Sequence, residues 1–310
     1  MRSGRNATGA WALTLAADFL TKVFLSHLRN RLALFVLVLC TLTRSAAAQE
    51  DEPVEGASEE EQVLDPAAQE SAAEVDVVNK ANNPLADLVA VQLHNYYTPK
   101  LYGVPDESAN TFWLRILAPY KRLIPRLSLP VKTSPTVTPD SKTGLGDLDV
   151  FVSILATKPE KPLQFGIGPL YVAPTATDAA LGSGKHQLGL ASVLVYPTGP
   201  LLFAAIVTWQ ISVAGDSARA KTNSIIFQPF MTIQLGKGYY LRSSPAWFFD
   251  IETGDYNIPF GLGAGKVLRH GKAVFNLFLE PQFTLAHKGI GQPAIQIFAA
   301  INIQFITGKR

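Results

Sequence analysis

Cysteine is nearly absent from this sequence. The single one, Cys40, lies in an N-terminal apolar run and follows Leu39, where a lipid-attachment signal carries a small residue. Beyond Ala48 there is none, which excludes disulfides, thiolate metal sites and a cysteine nucleophile from that part of the chain. Long apolar runs are missing too. The N-terminal run, Leu32 to Leu42, is eleven residues, and a helix needs roughly 20 to cross a bilayer. No later segment offers a long unbroken apolar stretch, so a helical membrane protein is excluded. Metal-binding spacing is also lacking: His94, His186, His270 and His287 form no i, i+2 or i, i+4 pair. No metal and no cofactor are expected.

What is present begins with an export signal. Arg29 and Arg31 precede the apolar run, and Ala46-Ala47-Ala48 before Gln49 supplies the small residues of a cleavage site. Residues 1–48 are therefore expected to be a cleavable signal with a long front; a start near Val23 would give one of ordinary length. Residues 49–81 hold eleven acidic side chains against Lys80 alone, with no aromatic residue. Such a segment buries too little apolar area to offset its chain entropy, and a periplasmic tether is expected. The alternative is a short helix over 66–80 docked under the following domain. That domain, 82–310, carries 20 Lys and Arg against 13 Asp and Glu.

Period-two patterning dominates 82–310. In the last strand Ile295, Ile297, Ala299, Ile301, Ile303 and Phe305 share one face, while Gln296, Ala300, Asn302 and Gln304 share the other; Phe298 breaks the rule. Alternation and turn residues together predict twelve strands: 88–97, 111–119, 122–132, 147–157, 162–174, 187–196, 201–213, 224–235, 239–251, 257–267, 272–284 and 294–306. Connections tend to alternate long and short, as in membrane barrels with tight periplasmic turns and longer outer loops. The apolar faces, such as Phe203, Ala205, Val207, Trp209 and Ile211, hold no charge, and a charge facing lipid costs about 2–4 kcal/mol at midplane. The expectation is an all-β, up-and-down antiparallel transmembrane barrel of twelve strands in the outer membrane, with both termini periplasmic. Tyr171, Phe227, Tyr239, Trp247, Phe249 and Phe305 are candidates for interfacial aromatic girdles.

Several segments resemble a known family. They are Asn83-Pro84-Leu85-Ala86-Asp87-Leu88, Gly144-Leu145-Gly146-Asp147-Leu148, Gly166-Ile167-Gly168-Pro169 and Ala173-Pro174-Thr175-Ala176-Thr177-Asp178. Leu181-Gly182-Ser183-Gly184-Lys185, Gly215-Asp216, Gln228-Pro229-Phe230 and Ile258-Pro259-Phe260-Gly261-Leu262-Gly263 follow. In this order they are similar to the bacterial outer-membrane barrels labelled neuromedin U, grouped with barrels near phenol-degradation (meta-pathway) genes. The resemblance implies an outer-membrane transporter and carries no catalytic residues. The chain departs from the pattern at His186, where members tend to have an aromatic, and in its acidic leader.

On the polar faces, the lumen-facing candidates are Arg115, Arg126, Asp147, Asp149, Arg242, Asp250, Glu280, Gln228 and Gln282. Paired, these charges would hold the lumen shut; opposed, they would form an eyelet that orients a small solute. Thr175, Thr177, Asp178, Gly182, Gly184 and Lys185 form an outer-loop motif of turn formers. Its Gly-Ser-Gly-Lys run lacks the first glycine and the following helix of a phosphate loop, so no nucleotide or nucleic acid is expected. The His-x-Ser pair of a barrel phospholipase is absent, since Asn95-Tyr96 follows His94 and Gln187-Leu188 follows His186. No enzyme is expected. The functional expectation is passage of a small solute, aromatic or anionic, with a closed structural or adhesion barrel as the alternative; the partners are outer-membrane lipid and the barrel-assembly machinery.

Overall fold

The computed structural model describes residues 75–310 apart from 137–139, 159–160 and 307–310. The expected signal and most of the acidic leader lie outside the described residues. Fifteen strands follow a short helix: β1 Leu88–Leu101, β2 Ala109–Leu117, β3 Leu123–Pro135, β4 Ser141–Leu145, β5 Leu148–Leu155, β6 Gln164–Ala173, β7 Lys185–Thr198 and β8 Leu201–Gly215. The remainder are β9 Asn223–Gly236, β10 Tyr239–Ser243, β11 Trp247–Asp250, β12 Tyr256–Gly261, β13 Gly263–His270, β14 Ala273–Lys288 and β15 Pro293–Ile306. β4 with β5, β10 with β11, and β12 with β13 each make one interrupted stave. The result is a twelve-stave antiparallel barrel, closed where β1 pairs with β15 and Gln92 lies opposite Asn302.

The barrel is inverted relative to a soluble one. Leu188, Leu190, Trp209, Leu277, Leu279, Phe283, Ile301 and Phe305 are exposed, whereas Thr232, Asn276, Glu280, Gln282, Asn302 and Gln304 are buried. Because side chains alternate along each strand, every stave offers lipid an apolar face and the lumen a polar one. No described helix is long and apolar enough to cross a membrane. Strands make the crossing.

Two staves, predicted as 239–251 and 257–267, are broken where the sequence predicted continuity. Tyr239–Arg242 pairs with Gly263–Lys266, and Phe248–Phe249 with Tyr256–Asn257. Between them, no ladder pair joins residues 243–247 to 258–262 among the described residues. Pro245 and Pro259 have no N–H to donate across this seam. Glu280 fills it instead, reaching across the intervening stave. A Cβ at position 261 would lie 2.4 Å from its Oε1, so only glycine lets the carboxylate pass. A third stave is interrupted at Gly146 and Asp147: residues 141–145, expected within a loop over 133–146, form β4 against β3, and the break lets Asp147 turn toward the 174–184 loop.

The connections sort by side. Residues 102–108, 136 and 140, 174–184, 216–222, 251–255 and 289–292 lie at one end; 118–122, 156–158 and 161–163, 199–200, 237–238 and 271–272 lie at the other. Among the latter, Gly199 supports a two-residue turn with φ of +53°, which costs a glycine no Cβ clash.

The helix, residues 75–82, enters the barrel at the end bearing the short turns. Val78 and Ala81 pack against the inward-facing Tyr240, Val267, Val274, Phe278, Phe298 and Ala300. Asn276 and Gln304 both donate to the Ala81 carbonyl, at 3.1 and 2.9 Å, satisfying an acceptor that the helix end leaves unpaired. Gln234 holds Asn79 at 2.7 Å, and Asn79 donates to Gly199 O at 3.1 Å. The chain then crosses the lumen. Asn83 donates to Gln164 at 3.0 Å, and its own Oδ1 accepts from Leu85 N at 2.7 Å, a turn that seats Leu85 among Ile124, Val193, Val195 and Leu202. Residues 75–81, expected as the end of a tether or else as part of a docked helix over 66–80, are helical and form an internal plug. The apolar positions of Val78, Ala81 and Leu85 drive it, since acidic side chains in that stretch are confined to Asp76.

Candidate lumenal site

A cavity of about 120 Å³ remains between the plug and the barrel wall. Asn82 to Ala86 roof it, and Gln92, His94, Tyr96, Arg115, Arg126, Gln228, Arg242, Asn276 and Asn302 supply its polar lining. Phe151, Phe230, Phe278 and Phe298 supply apolar faces. Apart from the consecutive roof residues, the wall is assembled from non-adjacent positions on β1, β2, β3, β5, β7, β8, β9, β10, β14 and β15, strands spread across the sequence.

Arg242 is fully committed. Its Nε donates to Glu280 Oε2 at 2.8 Å and its Nη2 to Ser244 Oγ at 2.5 Å, while the guanidinium lies 3.4 Å from the Phe278 ring centroid. Glu280, 0 % exposed, also accepts from Ser244 N at 2.9 Å, Ser244 Oγ at 2.7 Å and Gln282 Nε2 at 2.9 Å. Gln228 donates to Ser244 O at 2.8 Å. Both Glu280 oxygens and the Ser244 amide, hydroxyl and carbonyl are therefore paired without the missing ladder, and a buried ion pair requires such partners. Tyr240 donates to Asn276 beside it.

The other two arginines are less committed. Arg126 stacks 4.1 Å from Phe151, and its Nη2 is 3.8 Å from Asp149 Oδ1, beyond hydrogen-bond range. Arg115 lies over Trp113 and donates from Nη1 to His94 Nδ1 at 2.9 Å. Because arginine only donates, His94 Nδ1 accepts, and its Nε2–H donates to Asn302 Oδ1 at 2.8 Å. Phe298 stacks on Tyr96 at 4.1 Å and meets Phe278 and His94 edge-on.

The expected lumen residues therefore divide. Arg115, Arg126, Arg242 and Gln228 line the cavity, Asp149 stands behind Arg126, and Glu280 and Gln282 lie in the seam behind Arg242. Asp147 and Asp250 differ from expectation: Asp147 sits at the break between β4 and β5 and Asp250 at the loop end of β11, and each carboxylate accepts from loop groups. Asp147 accepts from Ala176 N, Ser183 N and Ser183 Oγ at 3.2, 2.7 and 2.8 Å. Asp250 accepts from Glu252 N and Thr253 N at 2.8 and 3.1 Å.

The outer-loop motif folds onto Asp147. Thr175 Oγ1 accepts from Leu148 N at 2.9 Å, Thr177 N donates to Leu145 O at 3.0 Å, and Asp178 Oδ1 accepts from Ala180 N at 2.8 Å. Gly182 must be glycine, since a Cβ there would lie 2.4 Å from Asp147 Oδ1; Gly184 adopts φ of +67°. Lys185 donates to Asp216 O at 2.5 Å, and Arg219 donates to Gly182, Ala179 and Ser183 carbonyls at 2.5, 2.7 and 3.3 Å. His186 Nδ1 lies 2.7 Å from the Tyr171 hydroxyl.

Sequence reasoning missed His94, Tyr96, Phe151, Phe278 and Asn302 as cavity residues. It noticed Phe298 only as a break in alternation. That break was the available signal, because a large aromatic on the polar face of a strand must find partners inside the barrel.

No family model and no curated protein matches the sequence. Among solved structures the chain is similar to an outer membrane channel from Pseudomonas putida F1, with a TM-score of 0.54 and 16% identity over 71% of this chain and 97% of that one. The fold is that of an outer-membrane β-barrel. The NanC porin (TM-score 0.46, 10% identity) and the KdgM porin (TM-score 0.44, 10% identity) each align over 71% of this chain and 100% of their own.

Proposed function

We propose that this outer-membrane barrel is a channel for passive passage of a small solute, its lumen narrowed by its own N-terminal segment. The carrying observation is a polar, arginine-bearing lumen that keeps a cavity beside the plug. The resemblance of the quoted motifs to the barrels labelled neuromedin U and linked with phenol degradation supports a transporter. The long-loop end faces outward and both termini face the periplasm, the arrangement that follows from signal-directed export and delivery by the barrel-assembly machinery. The barrel is non-enzymatic in this reading: His94, the one histidine in the cavity lining, contacts Arg115 and Asn302 rather than a nucleophile. A closed structural barrel is the second reading, favoured by the fully paired Glu280 seam.

Planar-bilayer recording of the full chain and of a variant lacking residues through Asp87 separates the two. The channel reading expects small steps from the former and several-fold larger steps from the latter. Silence from both, with insertion demonstrated, would leave the closed barrel. Epitope tags at Ser141 or Leu181 should be reached by antibody on intact cells and one at Gly199 should not; the reverse labelling overturns the orientation.

A further inference from the structure

We infer that the cavity is a binding site for a small organic monoanion, a carboxylate on an apolar body of about one ring. The inference rests on the channel reading for its purpose and on the cavity for its chemistry. The lining contains Arg115, Arg126 and Arg242 and no carboxylate. Behind it stand Asp149 and Glu280. Glu280 neutralises Arg242 at 2.8 Å, and Asp149 offsets Arg126 only loosely at 3.8 Å. Arg115 has no acidic partner among the described residues. One surplus positive charge therefore faces the cavity.

The donors point the same way. Arg115 Nε and Arg126 Nε are both buried and make no hydrogen bond, an arrangement that is costly unless something accepts from them. In the register of β2 and β3, Arg115 pairs with Ser128 and Leu117 with Arg126, so the two arginines are diagonal neighbours on the lumen face, about 7–8 Å apart at Cα. A carboxylate between them would take charge-assisted bonds from both guanidiniums, the planar match that arginine is suited to. Beside the arginines the lining is mixed, with the amides of Gln92, Gln228, Asn276 and Asn302 alongside an aromatic cluster. Phe151, Phe278 and Phe298, with Tyr96, offer ring faces and edges to a hydrocarbon body. The size fits as well: about 120 Å³ is close to the roughly 150 Å³ in which an engineered cavity holds benzene.

The test is calorimetric titration of the full chain refolded in nonionic detergent, using benzoate, benzamide and acetate. Benzoate should bind saturably at one per chain. Benzamide keeps the ring without the charge and acetate the charge without the body; each should bind at least about tenfold more weakly, the worth of one good charged contact or of a buried ring. Arg115→Gln should weaken benzoate by about tenfold or more and leave benzamide unmoved. Arg115→Lys, which keeps the charge but loses the fork, should fall between, and it serves if the glutamine variant does not give heat-modifiable, folded barrel. Benzoate binding no tighter than benzamide, or indifferent to both substitutions, overturns the site. Conductance without benzoate binding defeats this inference alone. Benzoate binding in a barrel that never conducts defeats the channel alone.

Discussion

The two ends of the barrel are closed by different chemistry. At the long-loop end, residues 174–184 are pinned by charged groups on backbone: Asp147 takes two amides and a hydroxyl, and Arg219 reaches three carbonyls. At the short-turn end, residues 75–87 are held by neutral amides of Gln164, Gln234, Asn276 and Gln304 and by the burial of Val78, Ala81 and Leu85. Hydrogen bonds to charged groups contribute about 1.5–3 kcal/mol and neutral ones about 0.5–1.5. The outer closure is part of the barrel chain between two staves, whereas the plug, among the described residues, joins the barrel chain at Leu88. The outer closure is thus held chiefly by charge-assisted bonds and the plug by neutral bonds and apolar burial.

The contrast can be broken most forcefully at the seam between the two ends. Glu280→Ala leaves Arg242 buried and unpaired and strips Ser244 N of its acceptor. It should cost about 3–5 kcal/mol, read as a lower urea midpoint for loss of heat-modifiable migration in detergent. An unchanged midpoint would mean the seam is not held by this carboxylate.

Leu85→Asp acts on the plug alone. Removing a buried leucine there should forfeit about 1.5–3 kcal/mol of plug docking, raising bilayer conductance while barrel migration stays as it was. Lost migration would show that the plug is part of the barrel's own stability.

Asp147→Ala tests the opposite end. It should cost about 1–3 kcal/mol for the orphaned amides and expose residues 174–184 to protease, with conductance little altered. A conductance change as large as that from Leu85→Asp would erase the distinction between the closures.

Asn79→Ala is the mildest probe. Loss of its bonds to Gly199 O and Gln234 should weaken plug docking by about 0.5–1.5 kcal/mol, visible as more frequent opening without a new conductance level. No effect would place the plug's hold on its apolar contacts only.

Much of this barrel was legible in the chain because strand alternation is a local property. Each stave's inward and outward faces follow from period two, and predicted 201–213 and 294–306 differ from β8 and β15 by no more than two residues at either end. The interruptions were not legible. Residues 239–251 alternate well enough to predict one strand, yet the prolines at 245 and 259 matter only because their staves lie side by side, with Glu280 two strands away. Asp147 and Asp250 show the same limit from the other direction: their parity is that of lumen residues, and their height along the stave puts them at loops.

The sequence by itself determined a twelve-stave barrel with its polar face inward and its candidate arginines on that face, since side-chain direction is set residue by residue. Only the tertiary structure decided which of those charges are neutralised and which remain free. Pairing depends on height along the barrel and on which stave lies opposite, and those are fixed by register and closure. It also decided the fate of residues 75–87. A short amphipathic segment stays folded only where the barrel offers its apolar side a pocket and its last carbonyls a donor.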